Sequence, residues 1–446
     1  MSYSSLHNHT DYSNLKLIDS INTVPRLMDR AYKIGLNAVA ITDHDTVSGH
    51  IKAIQHYKKN YQDKDFKLIL GNEIYLSKEG MSKDTYEKGD KFYHFILLAK
   101  DKIGHEQLRK LSSRAWDRSF VRAIMRTPTY VSDLMDIVGE DPGHLVATTA
   151  CLGGIPAQRF LSGGTSESIE PFLEGMSNLF GKKNFYIELQ PSTQDDQIRY
   201  NDFMIKNFWN DYPFIFATDS HYLKASSAPI HKAFLNSKDG DREVDAFYSS
   251  AYLMGMNEIN DYFVNQIDKD KIEVMRANSN KIADMCEFYD LAAPQVVPRV
   301  PTKITQKMKD SLMQLFKGKV VDNRYPYITN YIHSEYIEDA YFIGKIAEGF
   351  IELISDEMTK EYMDRLEYEC EQLWETSIKI KQPISNYFNT MAKMIDIIWD
   401  EADSFVGVSR GSAAGFLINY CLGITQLDPL TQPLEMPAWR LTIVGI

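Results

Sequence analysis

Nowhere in this chain do apolar residues run together for the roughly 18 positions that a membrane-crossing helix needs. The opening MSYSSLHNHTDYS also lacks the basic and apolar stretches of an export signal. A soluble, cytoplasmic protein with no membrane partner is therefore expected. Cysteine is sparse: Cys151, Cys286, Cys370 and Cys421 lie far apart, which leaves neither a disulfide framework nor a zinc finger built on close Cys pairs. Positive charge is short as well. With 49 Lys and Arg against 61 Asp and Glu, the formal net charge is -12, the wrong sign for a protein that grips nucleic acid over its whole surface. Any DNA contact must be local, or made by parts outside this chain. Internal repeats and low-complexity segments are missing too. What remains is core material: 44% hydrophobic and 25% charged residues over 446 positions exclude disorder and suffice for two domains, or one and a part.

Short β-branched and apolar runs recur in the first half, at Ala38 to Thr42, Lys67 to Leu70, Phe95 to Ala99, Leu145 to Thr149, Phe185 to Leu189 and Phe214 to Thr218. Each reads as a buried strand. Amphipathic stretches such as Thr23 to Ile34 and His105 to Asp117 lie between them, and this alternation argues for parallel strands with crossover helices, in a sheet or a barrel. Past about residue 285 a stretch punctuated by Pro294, Pro298 and Pro301 leads into long helical patterns, which sets a domain boundary there. Phe405 to Gly415 (FVGVSRGSAAG) reads as a strand, a Gly and Ser turn, and a helix.

Metal-capable side chains sit at or near the ends of these strands: His7 and His9, His44, Glu73, Cys151, Glu188, Asp219 and His221. Singly, each fits ordinary packing or a solvated surface. Jointly they are informative, because the C-terminal strand ends of a parallel barrel converge on one face. A set mixing His, carboxylate and one thiolate suits zinc, manganese or iron better than calcium or magnesium.

These residues resemble a PHP domain, the polymerase and histidinol phosphatase domain. The opening HxH matches His7 and His9, the following Asp matches Asp19 in LIDS, and the next His matches His44. Glu73 matches the Glu after a Gly-bearing strand end. His94 in FYHFILLAK, Cys151 in TACLGG, and Asp219 and His221 in TDSH complete the nine ligand positions. The resemblance implies a distorted (β/α)7 barrel holding up to three metals, and metal-assisted phosphoester hydrolysis with Asp219, Glu73 and His9 carrying the chemistry. The other histidines (His50, His56, His105, His144, His231, His333) match nothing and read as surface or packing residues.

Five further segments resemble the polymerase III alpha family of bacterial and phage replicative DNA polymerases, in that family's order. They are LSSRAW (Leu111 to Trp116), FYSSAYLM (Phe247 to Met254), DRLEYECEQL (Asp364 to Leu373), NYF (Asn386 to Phe388) and VGVSRGSAAGFLINYCLGITQLDPL (Val406 to Leu430). The similarity covers essentially residues 1 to 440. It implies an α/β chain with the PHP barrel over residues 1–285 and an incomplete α+β palm segment over 286–446. Arg410, Gly411 and Ser412, within the turn at 407–415, then read as the triphosphate-binding site, since backbone N–H groups, a hydroxyl and a guanidinium suit phosphate. The family usually has Gly, Pro, Gly where Gly407, Val408 and Ser409 stand, so a different turn geometry is expected. The family's Asp-x-Asp strand, which binds the two magnesium ions of nucleotidyl transfer, would follow Arg440, and Leu441 to Ile446 resemble nothing in it.

The resemblance thus implies the N-terminal portion of a polymerase III alpha subunit, with a possible 3′ to 5′ exonuclease in the PHP domain. Implied partners are DNA, deoxynucleoside triphosphates, a complementing C-terminal polymerase fragment, and a sliding clamp or other replisome proteins. By itself the chain is expected to extend no primer. A stand-alone metal-dependent phosphatase or nuclease, and a non-catalytic replisome docking module, are the competing readings.

Overall fold

The structure is a computed structural model, and it describes residues 2–15, 18–81, 85, 87, 89–119, 126–239, 247–294, 296–316, 323–354 and 359–431. The chain divides into two compact units, Met1–Ala292 and Ala293–Ile446. No described helix is long and apolar enough to cross a membrane.

The first unit is built on one sheet of eight strands: β1 (Ser4–Ser5), β2 (Ala38–Ile41), β3 (Lys67–Leu76), β4 (Tyr93–Ala99), β5 (Pro128–Thr129), β6 (Leu145–Thr148), β7 (Phe185–Leu189) and β8 (Phe214–Phe216). Seven of them lie in the order β1-β2-β3-β4-β6-β7-β8, with β5 pairing β3. The six apolar runs are all strands. Their continuous hydrophobicity, rather than an alternating pattern, follows from burial on both faces. One set of residues (Val39, Ile41, Phe95, Leu97, Leu145, Ala147) packs outward beneath the helices. The intervening set (Ala38, Ala40, Ile96, Leu98, Val146) packs inward with Ile282 and Ala283 of the helix Lys269–Met285.

The sheet curls until its ends meet. Asn8, just past β1, bridges Ser220, just past β8, with His9 N–H donating to Ser220 O at 3.0 Å and Ser220 N–H to His7 O at 3.3 Å. The Asn8 side chain pins the junction, donating to Ser5 O and Ala40 O and accepting from the hydroxyls of Ser5 and Ser220.

Most strand pairs are parallel, as the alternation with helices predicts. The exception is β4, antiparallel to both β3 and β6. No described helix separates β3 from β4, so the chain doubles back instead of crossing over. β3 also runs six residues beyond the expected end at Leu70. At Gly71 a Cβ would stand 2.6 Å from Leu97 O of β4, so only glycine fits.

Behind Gly71 lies a buried histidine pair. His50 donates from Nε2 to Gly71 O at 2.9 Å, while its Nδ1 stands 2.9 Å from His105 Nε2. Burial pushes His50 down to about 3 and His105 to about 4, so both stay neutral in the fold. Below pH 6.5 the unfolded chain takes up protons that the folded chain refuses. Their contribution is therefore complete above about pH 6.5 and lost as pH falls toward 4, by roughly 2 kcal/mol per histidine at pH 5. Urea melts at pH 7 and pH 5 should show this loss in the wild type and a clearly smaller loss in the His50→Gln, His105→Gln double variant. An identical acid sensitivity in both proteins would assign the effect to other groups.

The α-helices of the second unit among the described residues are Gln306–Leu315, Pro326–Ile332, Ile337–Leu353, Thr359–Ile380, Ser385–Asp400 and Leu417–Cys421, around a core that includes Ile328, Phe342, Leu366 and Leu417. The strand expected at Phe405 is not formed. Phe405 is 88% exposed, and a strand needs a neighbour to complete its ladder, which no described segment supplies. The segments Gln432 to Arg440 and Leu441 to Ile446 lie outside the described residues.

Candidate metal centre

Strand ends deliver the site. His7 and His9 follow β1 and, two residues apart in extended chain, project to one side. His44 follows β2, with Glu73 beside it through a parallel bridge. Asp219 and His221 follow β8. His94 stands second in β4, and because β4 runs antiparallel its beginning lies at the rim where its neighbours end. That explains a position unexpected for an all-parallel barrel. Glu73 lies inside β3 rather than after it, because β3 keeps pairing β4 as far as Leu76.

Eight of the nine candidate ligands come together. Among the described residues, three groups have ligand atoms within 4.8 Å of one another: His9, Asp19, His44 and His221; His7, His9 and Asp219; and His44, Glu73 and His94. Glu73 is central, its carboxylate lying 3.4 Å from His7, 3.1 Å from His9, 2.8 Å from His44 and 2.6 Å from His94. Asp219 Oδ1 lies 3.2 Å from His7 and 3.0 Å from His9. Asp19 Oδ2 lies 2.7 Å from His44 and 3.0 Å from His221. The ninth, Cys151, is outside the three groups, its Sγ 3.3 Å from His94 Nδ1 and its thiol pushed up by burial and by Asp219 and Glu73.

The imidazoles are held from behind, which selects the nitrogen each presents. Glu188 takes His7 Nδ1 at 2.7 Å and is itself held by Thr148 Oγ1. Glu188 is thus a support for His7. Ser13 Oγ faces His9 Nδ1 at 3.1 Å and donates onward to Asp43. The backbone O of Asp219 accepts from His221 Nδ1 at 2.7 Å, and the hydroxyls of Tyr75 and Tyr248 reach His44 and Asp19 at 2.8 and 3.0 Å. In His7, His9 and His221 this leaves Nε2 facing the carboxylates. Positive φ at Asp45 (64°), Ala150 (57°) and Asp219 (46°) marks strained backbone beside the ligands on three strand ends.

Burial opposes charge throughout the centre, yet the groups are paired so closely that they ionise anyway. Burial disfavours the His7 cation, but Asp219, Glu188 and Glu73 lift His7 well above its ordinary range. His44, similarly buried, is raised to about 9 by Glu73 and Asp19. Despite burial, His221 and His44 hold Asp19 well below the usual carboxylate range, and His44, His94 and His7 do the same for Glu73. The observation that tests the fit of a metal is the orphaned oxygens. Both carboxylate oxygens of Glu73 and Oδ1 of Asp219 are buried without a well-formed hydrogen bond and face imidazole nitrogens, although such groups are nearly always satisfied. Three anionic oxygens ringed by imidazole nitrogens form a donor set that suits divalent transition metals.

The second candidate site lies in the other unit. Gly411 and Ser412 open a 3-10 turn, Gly411–Gly415, with Arg410 extended just before it and Gly411 at φ +59°. The α-helix begins only at Leu417, and its first N–H groups are already taken: Glu369 accepts from Leu417 N–H and Ile418 N–H, both at 2.9 Å. Arg365 pairs with Glu369 at 2.7 Å and donates to Gly415 O at 2.5 Å. Two residues earlier, Glu367 caps the helix Pro326–Ile332 in the same way. The DRLEYECEQL segment thus holds two helix N-termini with two carboxylates, a role its spacing alone does not announce.

The curled sheet carries a rim of His, Asp and Glu fit to hold metal, and residues 5–192 match the family model described as the PHP domain. Residues 340–439 match that of the bacterial DNA polymerase III alpha NTPase domain. The chain thus carries a PHP domain joined to polymerase III alpha sequence. It is 40% identical over 465 residues to "Probable DNA polymerase YorL" of Bacillus subtilis (strain 168) and, to the same extent, to "DNA-directed DNA polymerase" of Bacillus phage SPbeta. In both cases the match covers 97% of this chain and 35% of the relative. It is 28% identical to the DNA polymerase III subunit alpha of Borreliella burgdorferi, over 95% of this chain and 33% of that one. The chain therefore spans about a third of the length of these relatives.

Proposed function

We propose that this chain is the N-terminal portion of a polymerase III alpha type DNA polymerase and that its PHP unit hydrolyses phosphodiesters at a DNA 3′ end with divalent transition metals. The carrying observation is the set of orphaned, buried oxygens of Glu73 and Asp219 among five imidazoles. His7, His9, Asp19, His44, Glu73, His94, Asp219 and His221 would hold the ions, with Cys151 at the edge. Bound there, divalent metal supplies a water acidified toward neutrality and offsets charge on the phosphate oxygens. Glu188, Ser13 and the Asp219 carbonyl keep the imidazoles aimed, so the geometry is present before substrate arrives. In the second unit Arg410, Gly411 and Ser412 would receive the triphosphate of an incoming deoxynucleotide. The match of residues 340–439 favours this polymerase context over a free phosphatase.

The test is reconstitution of the purified chain with manganese, zinc or iron, followed by metal analysis and assay on single-stranded and mismatched primers. Retained metal and release of 3′-terminal nucleotides, abolished by chelation and by Asp219→Asn, are expected. Inertness toward both substrates with every metal would sink the hydrolytic reading.

A further inference from the structure

Beside the centre lies a cation with no role in holding it, Arg126. It stands two residues before β5, the short strand that takes up the edge of β3 which β2 vacates after Leu70, just past the bridge of His44 to Glu73. The chain thus brings Arg126 to the rim where the candidate ligands gather. Its guanidinium lies over the Tyr75 ring, 4.7 Å from the centroid. That ring stands 5.5 Å from the His44 ring and 4.8 Å from the His94 ring, with its hydroxyl 2.8 Å from His44 Nδ1. Among the described residues Arg126 Nη1 is buried without a well-formed hydrogen bond. Asp45 Oδ2 lies 3.9 Å away, beyond hydrogen-bond reach, and Asp45 Oδ1 is taken by the N–H and the hydroxyl of Thr127. We propose that Arg126 is a substrate-binding residue of the metal centre, whose Nη1 donates to a non-bridging oxygen of the phosphodiester being cleaved; the proposal rests on the hydrolytic reading above.

A buried donor on a charged group is costly to leave unmet, and the chemistry of this one selects an oxyanion. A guanidinium is planar, keeps its charge at any working pH, and matches phosphate oxygens with parallel N–H groups. The Arg126 side chain is 16% exposed, so an anion reaches it from solvent without unpacking the rim. The surrounding charges point the same way. Burial works against the Arg126 cation, but Tyr75, Asp45, Asp19 and Glu73 hold it above the ordinary arginine range. Of these, Asp19 and Glu73 are candidate ligands. Engaged with divalent metal they no longer neutralise the guanidinium, and an anion lying against both the centre and Arg126 restores the balance. A donor held at that place is also poised for the charge that builds on the phosphate oxygens during cleavage.

The experiment compares the manganese-loaded wild type with Arg126→Ala and Arg126→Lys, by hydrolysis of bis(p-nitrophenyl) phosphate and by titration calorimetry with inorganic phosphate. In Arg126→Ala, kcat/KM should fall about 100-fold, the lower end for losing one donor to a developing charge, and phosphate should bind roughly tenfold more weakly. Metal content should match the wild type. Arg126→Lys keeps the charge but not the paired N–H groups and should fall between the two. Added guanidinium ion should restore about tenfold of the lost rate to Arg126→Ala and none to the wild type, on the same scale of one recovered charged hydrogen bond, a rescue that a merely structural arginine does not give. Unchanged kcat/KM and phosphate affinity in Arg126→Ala, beside a wild type that hydrolyses the diester, would overturn the assignment alone. So would a loss that tracks departed metal and resists guanidinium ion. A wild type that hydrolyses nothing, yet binds phosphate more tightly than Arg126→Ala, would overturn the hydrolytic reading and leave Arg126 standing as the oxyanion's partner.

Discussion

Glu73→Gln is expected to remove metal from the centre and to slow 3′-nucleotide release by on the order of 100-fold or more, since even groups that only orient ligands matter 10- to 100-fold. Four imidazoles surround the Glu73 side chain. Its carboxylate touches His7, His9, His44 and His94 within 3.4 Å, and neither oxygen has a well-formed hydrogen bond. An amide of the same shape replaces one oxygen with an NH₂ group that cannot ligate and that competes for the imidazole lone pairs. The loss should appear first as fewer ions per chain after dialysis, before any assay of turnover. A variant that keeps the wild-type metal content and rate would remove Glu73 from the centre.

Glu369→Ala should cost the second unit about 3 kcal/mol, at the lower end of the range for breaking a buried ion pair. Glu369 is 1% exposed. Its removal strands the N–H groups of Leu417 and Ile418 and takes a carboxylate away from the guanidinium of Arg365. For a unit of this size the effect corresponds to a fall in melting temperature of roughly 6–12 °C. Hydrogen exchange supplies a local readout: the amides of Leu417 and Ile418 should exchange much faster, with the first unit unchanged. Unaltered protection at those amides would show that the cap is not what holds the helix, and with it the turn bearing Arg410 and Ser412.

Much of the fold was legible because each of the six strands carries its evidence within itself. A run such as AVAI at Ala38–Ile41 has no polar face to turn toward water, so burial on both sides follows from the letters alone. The gathering of the candidate ligands was legible for a related reason: His, Asp and Glu at successive strand ends have few roles in common except a shared rim. The reversed strand β4 was harder to see. Nothing within Tyr93–Ala99 states a direction, and the direction decides whether His94 faces the centre or the opposite end. The strand expected at Phe405 failed on the same principle, because a strand is a property of two segments and no described segment pairs with this one.

By itself the sequence determined the six apolar strands, which side chains can ligate, and that the chain joins PHP-type to polymerase-type sequence, since these depend on residue type and short-range order. Only the tertiary structure decided which partners those side chains keep. Glu188 supports His7 across 181 positions, Tyr248 reaches Asp19 across 229, and Glu369 caps Leu417 across 48. Asn8 knots three segments whose spacing along the chain bears no relation to their distance in space. Hydrogen bonds and burial act over a few ångströms, and which distant residues come within that range is settled by how the whole sheet curls and the helices pack against it.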